Sequence, residues 1–286
     1  MRIDAHQHVW SPATASYPWL TGLEPIDREM ALAEILPTMR QFGVHATVLV
    51  QAADNADDTA NMLREADLHP EVVGIVAWVP LDRPDETERM LAHLREDRRV
   101  VGIRTLLHAN PDPDWVLRTE VDEGLSMLES EGVTFDYVTG DPAALAHLPG
   151  ISERHPELSI VIDHLGKPPV AADRSEWRAL IEAAAQNPRV FAKLSGLYAS
   201  SGPLDGWSLD DIRPIVDDAL EVFGPDRLMV GSDWPIAVLA GGYERTMTAL
   251  VELTTGPDRD ALLGGTAARF YNLDPALLAA ARKDTP

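Results

Sequence analysis

The chain has 286 residues, 45% of them hydrophobic, with 46 Asp plus Glu against 24 Lys plus Arg and no cysteine. That apolar content excludes a disordered chain, and the net charge of −22 disfavours nucleic acid and anionic membrane as partners, because such a surface repels phosphate groups. Without cysteine there is no disulfide framework, Cys-based zinc site or thiol nucleophile, so His and carboxylates are the available metal ligands.

In chain order, short runs rich in Val and Ile alternate with longer segments of helical period. Strand Ile3–Val9 opens the chain, and the connection Ser11–Glu24 carries Tyr17, Pro18 and Trp19. A helix over Arg28–Gln41 is predicted from the N-cap residue Asp27 and the stop at Gly43. Strand Ala46–Gln51, helix Asp57–Leu68, strand Val72–Val79, helix Pro84–Arg95 and strand Val100–Leu106 follow. Then come helix Glu120–Glu131, strand Val133–Val138, helix Pro142–Arg154, strand Leu158–Asp163, helix Glu176–Gln186 and strand Val190–Leu194. The connection Tyr198–Trp207 carries Gly202, Pro203 and Gly206 before helix Leu209–Phe223, strand Leu228–Gly231 and helix Tyr243–Leu253. A short helix over Asp258–Leu263 and a helical tail to about Arg282 end the pattern.

Near-continuous apolar strands between helices imply a parallel sheet, either a closed (β/α)8 TIM barrel or an open doubly wound sheet. The first strand lacks a Gly-rich phosphate loop, which weakens the nucleotide-binding alternative. A closed barrel holds ~250 residues in one domain. The expectation is therefore one barrel domain over residues 1–286, its helical tail starting at about residue 274. Residues Ala276–Ala281 are apolar enough to pack on the barrel or on a second copy, so a homo-oligomer is open. No run reaches the ~18 apolar residues of a membrane span, and the start Arg2-Ile3-Asp4-Ala5-His6 shows no apolar signal region, so a cytoplasmic protein is expected.

Three strand ends carry ionisable side chains. His6-Gln7-His8 ends the first strand, and alternation puts His6 and His8 on one face, Asp4 sharing their parity, where two imidazoles are placed to share a metal ion. Ile160-Val161-Ile162-Asp163-His164 runs an apolar strand into His164, and Leu228-Met229-Val230-Gly231-Ser232-Asp233 runs another into Asp233, with Gly231 leaving room beside the strand. Each alone reads as a cap or turn residue. Together they mark the first, sixth and eighth strand ends, which converge at the C-terminal mouth of a barrel. Arg104 on the fourth strand needs an anion, and Asp4, Asp136 or substrate are the candidates. Lys193 on the seventh strand is read as a substrate contact or a structural ion pair, while Trp10, Trp78 and Trp234 are candidate walls for a ring-shaped ligand. His45, His69, His93, His108, His147 and His155 are read as surface residues.

The order His-Gln-His-Val-Trp, Asp-His-Leu-Gly-Lys-Pro, Lys-Leu-Ser-Gly-Leu, Gly-Ser-Asp-Trp-Pro, from His6 through to Tyr271-Asn272-Leu273, resembles the amidohydrolase superfamily, and within it the amidohydrolase-2 branch that includes sugar lactonases. The resemblance implies a (β/α)8 barrel with His6, His8, His164 and Asp233 as metal ligands. The fifth strand, Val133-Thr134-Phe135-Asp136-Tyr137, lacks the histidine of many members, and the fourth lacks a lysine that could be carbamylated, which argues against a binuclear centre. One divalent ion, zinc by the donor set, is expected. Some lactonases of the branch share the pattern without needing a metal, so the ion is not indispensable. The implied reaction is hydrolysis of a small lactone. Asp233 acts as base, His164 and its fellow imidazoles hold the ion or polarise the carbonyl, and Arg104 orients the substrate. A decarboxylase or muconolactone-type hydrolase on the same barrel, and a barrel that binds without turnover, are the alternatives.

Overall fold

A computed structural model describes residues 1–198 and 205–283. The stretch of the Tyr198–Trp207 connection that holds Gly202 and Pro203 lies outside the described residues. The strands are β1 (Arg2–Gln7), β2 (Val44–Val50), β3 (Val72–Ala77), β4 (Val100–Thr105), β5 (Thr134–Tyr137), β6 (Ile160–Ile162), β7 (Val190–Leu194) and β8 (Leu228–Val230), all parallel and ordered β1 to β8. β8 leads back to β1: Gln7 bridges Trp234, the Asp233 N–H donates to the His6 carbonyl at 2.9 Å, and the His8 N–H donates to the Trp234 carbonyl at 2.7 Å. The sheet is thus a (β/α)8 barrel, and the open-sheet alternative falls. Gly231 makes the seam possible, because a Cβ there would stand 2.4 Å from the His6 Cβ.

The helices are α1 (Leu36–Gln41), α2 (Ala56–Leu68), α3 (Pro84–Leu94), α4 (Thr119–Glu131), α5 (Pro142–Leu145), α6 (Leu148–Arg154), α7 (Ser175–Ala184), α8 (Leu209–Phe223), α9 (Tyr243–Leu253), α10 (Thr266–Phe270) and α11 (Pro275–Lys283). One expectation fails clearly. The region 28–41 is helical in its last turn and a half, with only a 3₁₀ turn at Leu32–Glu34 before it. Trp10 and Met30 instead exchange backbone hydrogen bonds, and the Trp10 indole N–H donates to the Ile26 and Arg28 carbonyls, which holds this stretch extended. Pro37 then sits in the first turn of α1, where its missing N–H costs nothing. Pro149 similarly divides the segment 142–154 into two helices.

The apolar residues separate into two packed groups, one between the helices and the outer wall of the barrel and one inside it. Ile3, Ala5, Val48, Val76, Val161 and Met229 fill the interior, and Phe270, Tyr271 and Leu273 close it at the N-terminal end. The tail helix α11 lies against β2 and β3, with Ala281 buried. This plug leaves the C-terminal mouth as the open end of the barrel.

Candidate active site

Strand β1 does not keep its alternation. Asp4 pairs in register with Thr47 and Gln7 with Leu49, so three residues of β1 span two of β2, a β-bulge. Asp4 and Gln7 therefore face the helix layer: Asp4 accepts from the Ser232 N–H at 2.8 Å, and the Gln7 amide reaches Met39 on α1. His6 and His8 face inward. The shared parity of Asp4 with the two histidines is corrected by this extra residue. Burial raises the Asp4 carboxyl to about 6, against the lowering pull of its bonds to Ser232 and His6.

The other two site residues stand on strained elbows. After β6, four consecutive residues take positive φ: His164 at 54°, Leu165 at 52°, Gly166 at 71° and Lys167 at 53°. Left-handed backbone costs roughly 1–2 kcal/mol per non-glycine residue, so this turn persists only because its surroundings fix it. Leu165 is fully buried, and its carbonyl accepts from the Trp177 indole at 2.7 Å. Asp233 likewise has φ 61°, a region that Asp tolerates better than most residues. Gly196 completes the site: a Cβ there would meet His164 Nδ1 at 2.5 Å and Asp233 Oδ2 at 3.0 Å.

The strand ends converge as the sequence predicts. His6 Nε2 and His8 Nε2 lie 3.2 Å apart, and Asp233 Oδ1 lies 3.7 Å from the first and 3.3 Å from the second. Among the described residues these three form a group able to hold one ion, their ligand atoms within 4.8 Å of each other. His164 is adjacent, its ring 4.6 Å from that of His6, but it does not join the group; its Nδ1 pairs with the Ser195 hydroxyl at 2.9 Å. His164, expected as a fourth ligand, thus stands as a neighbour of the trio. His8 Nδ1 donates to the Val50 carbonyl at 2.7 Å, which leaves the Nε2 lone pair facing His6 and Asp233. Tyr198 donates to Asp233 Oδ2 at 2.8 Å.

The protonation states follow from burial. His6 is held well below the usual imidazole value, chiefly by burial and with help from the Lys193 charge. Burial also brings His164 down to about 4, although Asp233 and Asp163 pull the other way. For Asp233, burial alone would raise the carboxyl, but His164, His8 and His6 outweigh it and hold it below the carboxylate range. At neutral pH Asp233 is thus a carboxylate beside the neutral imidazoles of His6 and His164.

Beneath this group lies a layer of charges. Arg104 donates to Asp163 Oδ2 at 2.9 Å and to the Gln51 carbonyl, with Nη1 3.5 Å from His6 Nε2. Its anion is thus Asp163, not the expected Asp4 or Asp136. Lys193, completely buried, pairs with Asp136 at 2.5 Å and Asp163 at 2.9 Å, and lies 3.1 Å from His6 Nδ1. Tyr271 donates to Asp136 at 2.7 Å.

A cavity of about 200 Å³ opens over the site, lined by His8, Arg104, His164 and Asp233 together with Trp19, His108 and Lys167. Lys193, Trp10 and Trp234, expected as substrate contacts, do not reach it: each is buried, Lys193 in the charge layer and the two indoles in side-chain packing. Trp78 lines a neighbouring cavity instead. Trp19 takes the aromatic place at the mouth, its indole bonded to the Ala52 carbonyl at 2.9 Å. His108, read as a surface residue, is exposed and also contributes to the cavity wall. His155, by contrast, is not a surface residue; it is buried and bonded to Asp122 at 3.0 Å.

A (β/α)8 barrel with two histidines at the end of β1 and an aspartate after β8, all at the C-terminal mouth, defines a barrel hydrolase. Residues 3–273 match the amidohydrolase family Amidohydro_2, and the chain belongs to that family. The L-fucono-1,5-lactonase of Burkholderia ambifaria is 34% identical over 282 residues, 96% of each chain. A crystal structure of an amidohydrolase from Burkholderia multivorans with bound zinc has a TM-score of 0.87 at 31% identity, covering 96% of this chain and 100% of that one. The 4-sulfomuconolactone hydrolase of Rhizobium radiobacter is 27% identical over 248 residues, 81% of this chain and 75% of that protein.

Proposed function

We propose that this chain is a lactonase that opens the ester ring of a small, neutral sugar lactone. The observation that carries the reading is the convergence of an ionised Asp233 with His6, His8 and His164 at one small cavity, which Asp233, His8 and His164 line. The Burkholderia relatives named L-fucono-1,5-lactonase support the substrate class. This reading requires a small-molecule substrate and neither nucleic acid nor membrane. No helix among the described residues is long and apolar enough to cross a bilayer.

The donor set fits one divalent ion. Two imidazole Nε2 atoms facing each other at 3.2 Å, with a carboxylate oxygen beside them, bring lone pairs together that a cation would satisfy. His6, His8 and Asp233 would hold it, and zinc, found bound in the B. multivorans structure, is the ion we favour. Such an ion supplies Lewis-acid polarisation of a carbonyl oxygen.

The chain's own residues supply the remaining chemistry. Asp233 takes a proton from water as the water oxygen bonds to the lactone carbonyl carbon. The Arg104 guanidinium faces the developing oxyanion. His164 Nδ1 pairs with the Ser195 hydroxyl; with that hydroxyl as donor, the imidazole proton sits on Nε2, available to the substrate. When the ring C–O bond breaks, the leaving alkoxide recovers the proton from Asp233, and the product is a hydroxy acid. Because Arg104 and Lys167 both line the cavity, a lactone bearing a carboxylate is the second reading.

A pH-indicator assay on a panel of aldonolactones and a muconolactone tests both. Turnover of the sugar lactones, reduced at least about 10²-fold in Asp233→Asn, is the expected result. Full turnover by Asp233→Asn, or no lactone opened faster than in buffer alone, overturns the reading.

A further inference from the structure

Beside the catalytic cavity lies a second, larger one of about 370 Å³, within the roughly 300–1,000 Å³ range of small-ligand sites. It belongs to the same C-terminal mouth, bounded by the residues that follow β2, β3 and β4, and it shares Leu106 and Ala109 with the catalytic cavity as a common wall. Asp54 ties that wall in place, accepting from the Leu106 N–H at 3.0 Å and from the Gln51 amide at 3.0 Å.

The lining has a definite chemistry. Trp78 and Trp115 give two indole surfaces. Asp82 is an exposed carboxylate, and Asn110 offers its amide N–H groups while its Oδ1 accepts from the Asp112 N–H at 3.0 Å. The Thr105 hydroxyl has no hydrogen-bond partner although the residue is only 7% exposed. A buried hydroxyl without a partner is costly, and a ligand hydroxyl would satisfy it. Among the described residues no Lys, Arg or His lines the cavity, and Asp54 and Asp82 repel anions.

We infer that this cavity is a subsite for a neutral, polyhydroxylated substituent, a glycosyl group above all, carried by the lactone whose ring occupies the catalytic cavity. Flat indole faces stack on the apolar face of a sugar ring, and acceptors with a lone hydroxyl bind its OH groups. The inference deepens the lactonase reading and rests on it. The catalytic cavity, at about 200 Å³, holds one small ring; the neighbour gives a second ring its place.

The test compares glucono-1,5-lactone with its galactosyl derivative, lactobionolactone, on the full chain and on Trp78→Ala and Thr105→Val, the second a near-isosteric change that spares the fold. The readout is the ratio of kcat/KM for the two lactones. The variants should lower that ratio about tenfold, through KM, the scale of one lost stacking or hydrogen-bonding contact. Equal losses for both lactones, or a wild type that opens only the simple one, overturn the subsite. If neither lactone is opened, the parent reading fails by itself, and the subsite is read by calorimetry with lactobionate against gluconate. Tighter lactobionate binding that Thr105→Val removes sustains it, and equal affinities overturn it.

Discussion

The barrel interior carries two groups of ionisable residues one layer apart, and they behave in opposite ways. At the mouth, His8, His164 and Asp233 line a cavity, with His6 buried beside them. Just below, Arg104, Asp136, Asp163 and Lys193 pair with one another, and three of the four are completely shielded from solvent. The upper group can exchange its partners for substrate, whereas the lower group is held mainly by its own ion pairs, Arg104 alone also reaching the cavity. A buried charge is tolerated only when paired, so one step of depth along a strand separates chemistry from scaffold. The lower layer also acts on the upper one: Arg104, Lys193 and Asp163 all stand within 3.5 Å of His6.

This contrast can be broken by experiment. The largest effect belongs to Lys193→Met, which leaves Asp136 and Asp163 buried without their shared cation. We expect a loss of ~3–5 kcal/mol in unfolding free energy, measured by urea titration. A loss of activity with unchanged stability would show that the lower layer is chemical after all. Asp233→Asn should behave in the reverse manner, losing at least ~10²-fold in kcat, equivalent to about 2.7 kcal/mol, while its denaturation midpoint is unchanged or raised. Asn also tolerates the left-handed backbone that Asp233 adopts at φ 61°.

Gly196→Ala sharpens the boundary between the layers, because a methyl group there meets His164 Nδ1 at 2.5 Å in a residue with φ 56°. A stability cost of ~1–3 kcal/mol accompanied by a raised KM is expected. The pH profile reports the mouth alone. Catalysis needs His164 neutral, and its pKa is lowered to about 4, so protonation removes activity only as pH falls through that value. The acid limb of kcat/KM should therefore lie near pH 4, with a plateau above it; a limb near 6.5 would mean that His164 is not shielded. Smallest is Tyr271→Phe, which deletes one hydrogen bond to Asp136 at the plugged end and should cost ~1 kcal/mol without changing kcat.

Much of the mouth is legible in the sequence because strand ends announce themselves. The apolar runs 160–162 and 228–230 stop abruptly at Asp163-His164 and Ser232-Asp233, and the His-x-His pair follows an equally apolar start. The long connection Ser11–Glu24 that carries Trp19 stands out in the sequence, but only the fold of the connections turns Trp19 and His108 toward the cavity. Asp163, next to His164, has no local signature of its role, since its pairing with Arg104 and Lys193 joins three separate strands. Ser195, Gly196 and Tyr271 lay within the family motifs, and nothing in their local pattern says what they touch.

By itself the sequence determined the alternation of buried strands and helices, the absence of any thiol chemistry, and the residue types that reach the strand ends. These are local properties, fixed by apolar period and by where each period stops. Tertiary structure decided the rest. The bulge in β1 separated Asp4 from His6 and His8, closure at Gly231 joined the first strand to the last, and left-handed elbows aimed His164 and Asp233. Each depends on backbone pairing or packing between segments distant in the chain, and such energies have no local signature.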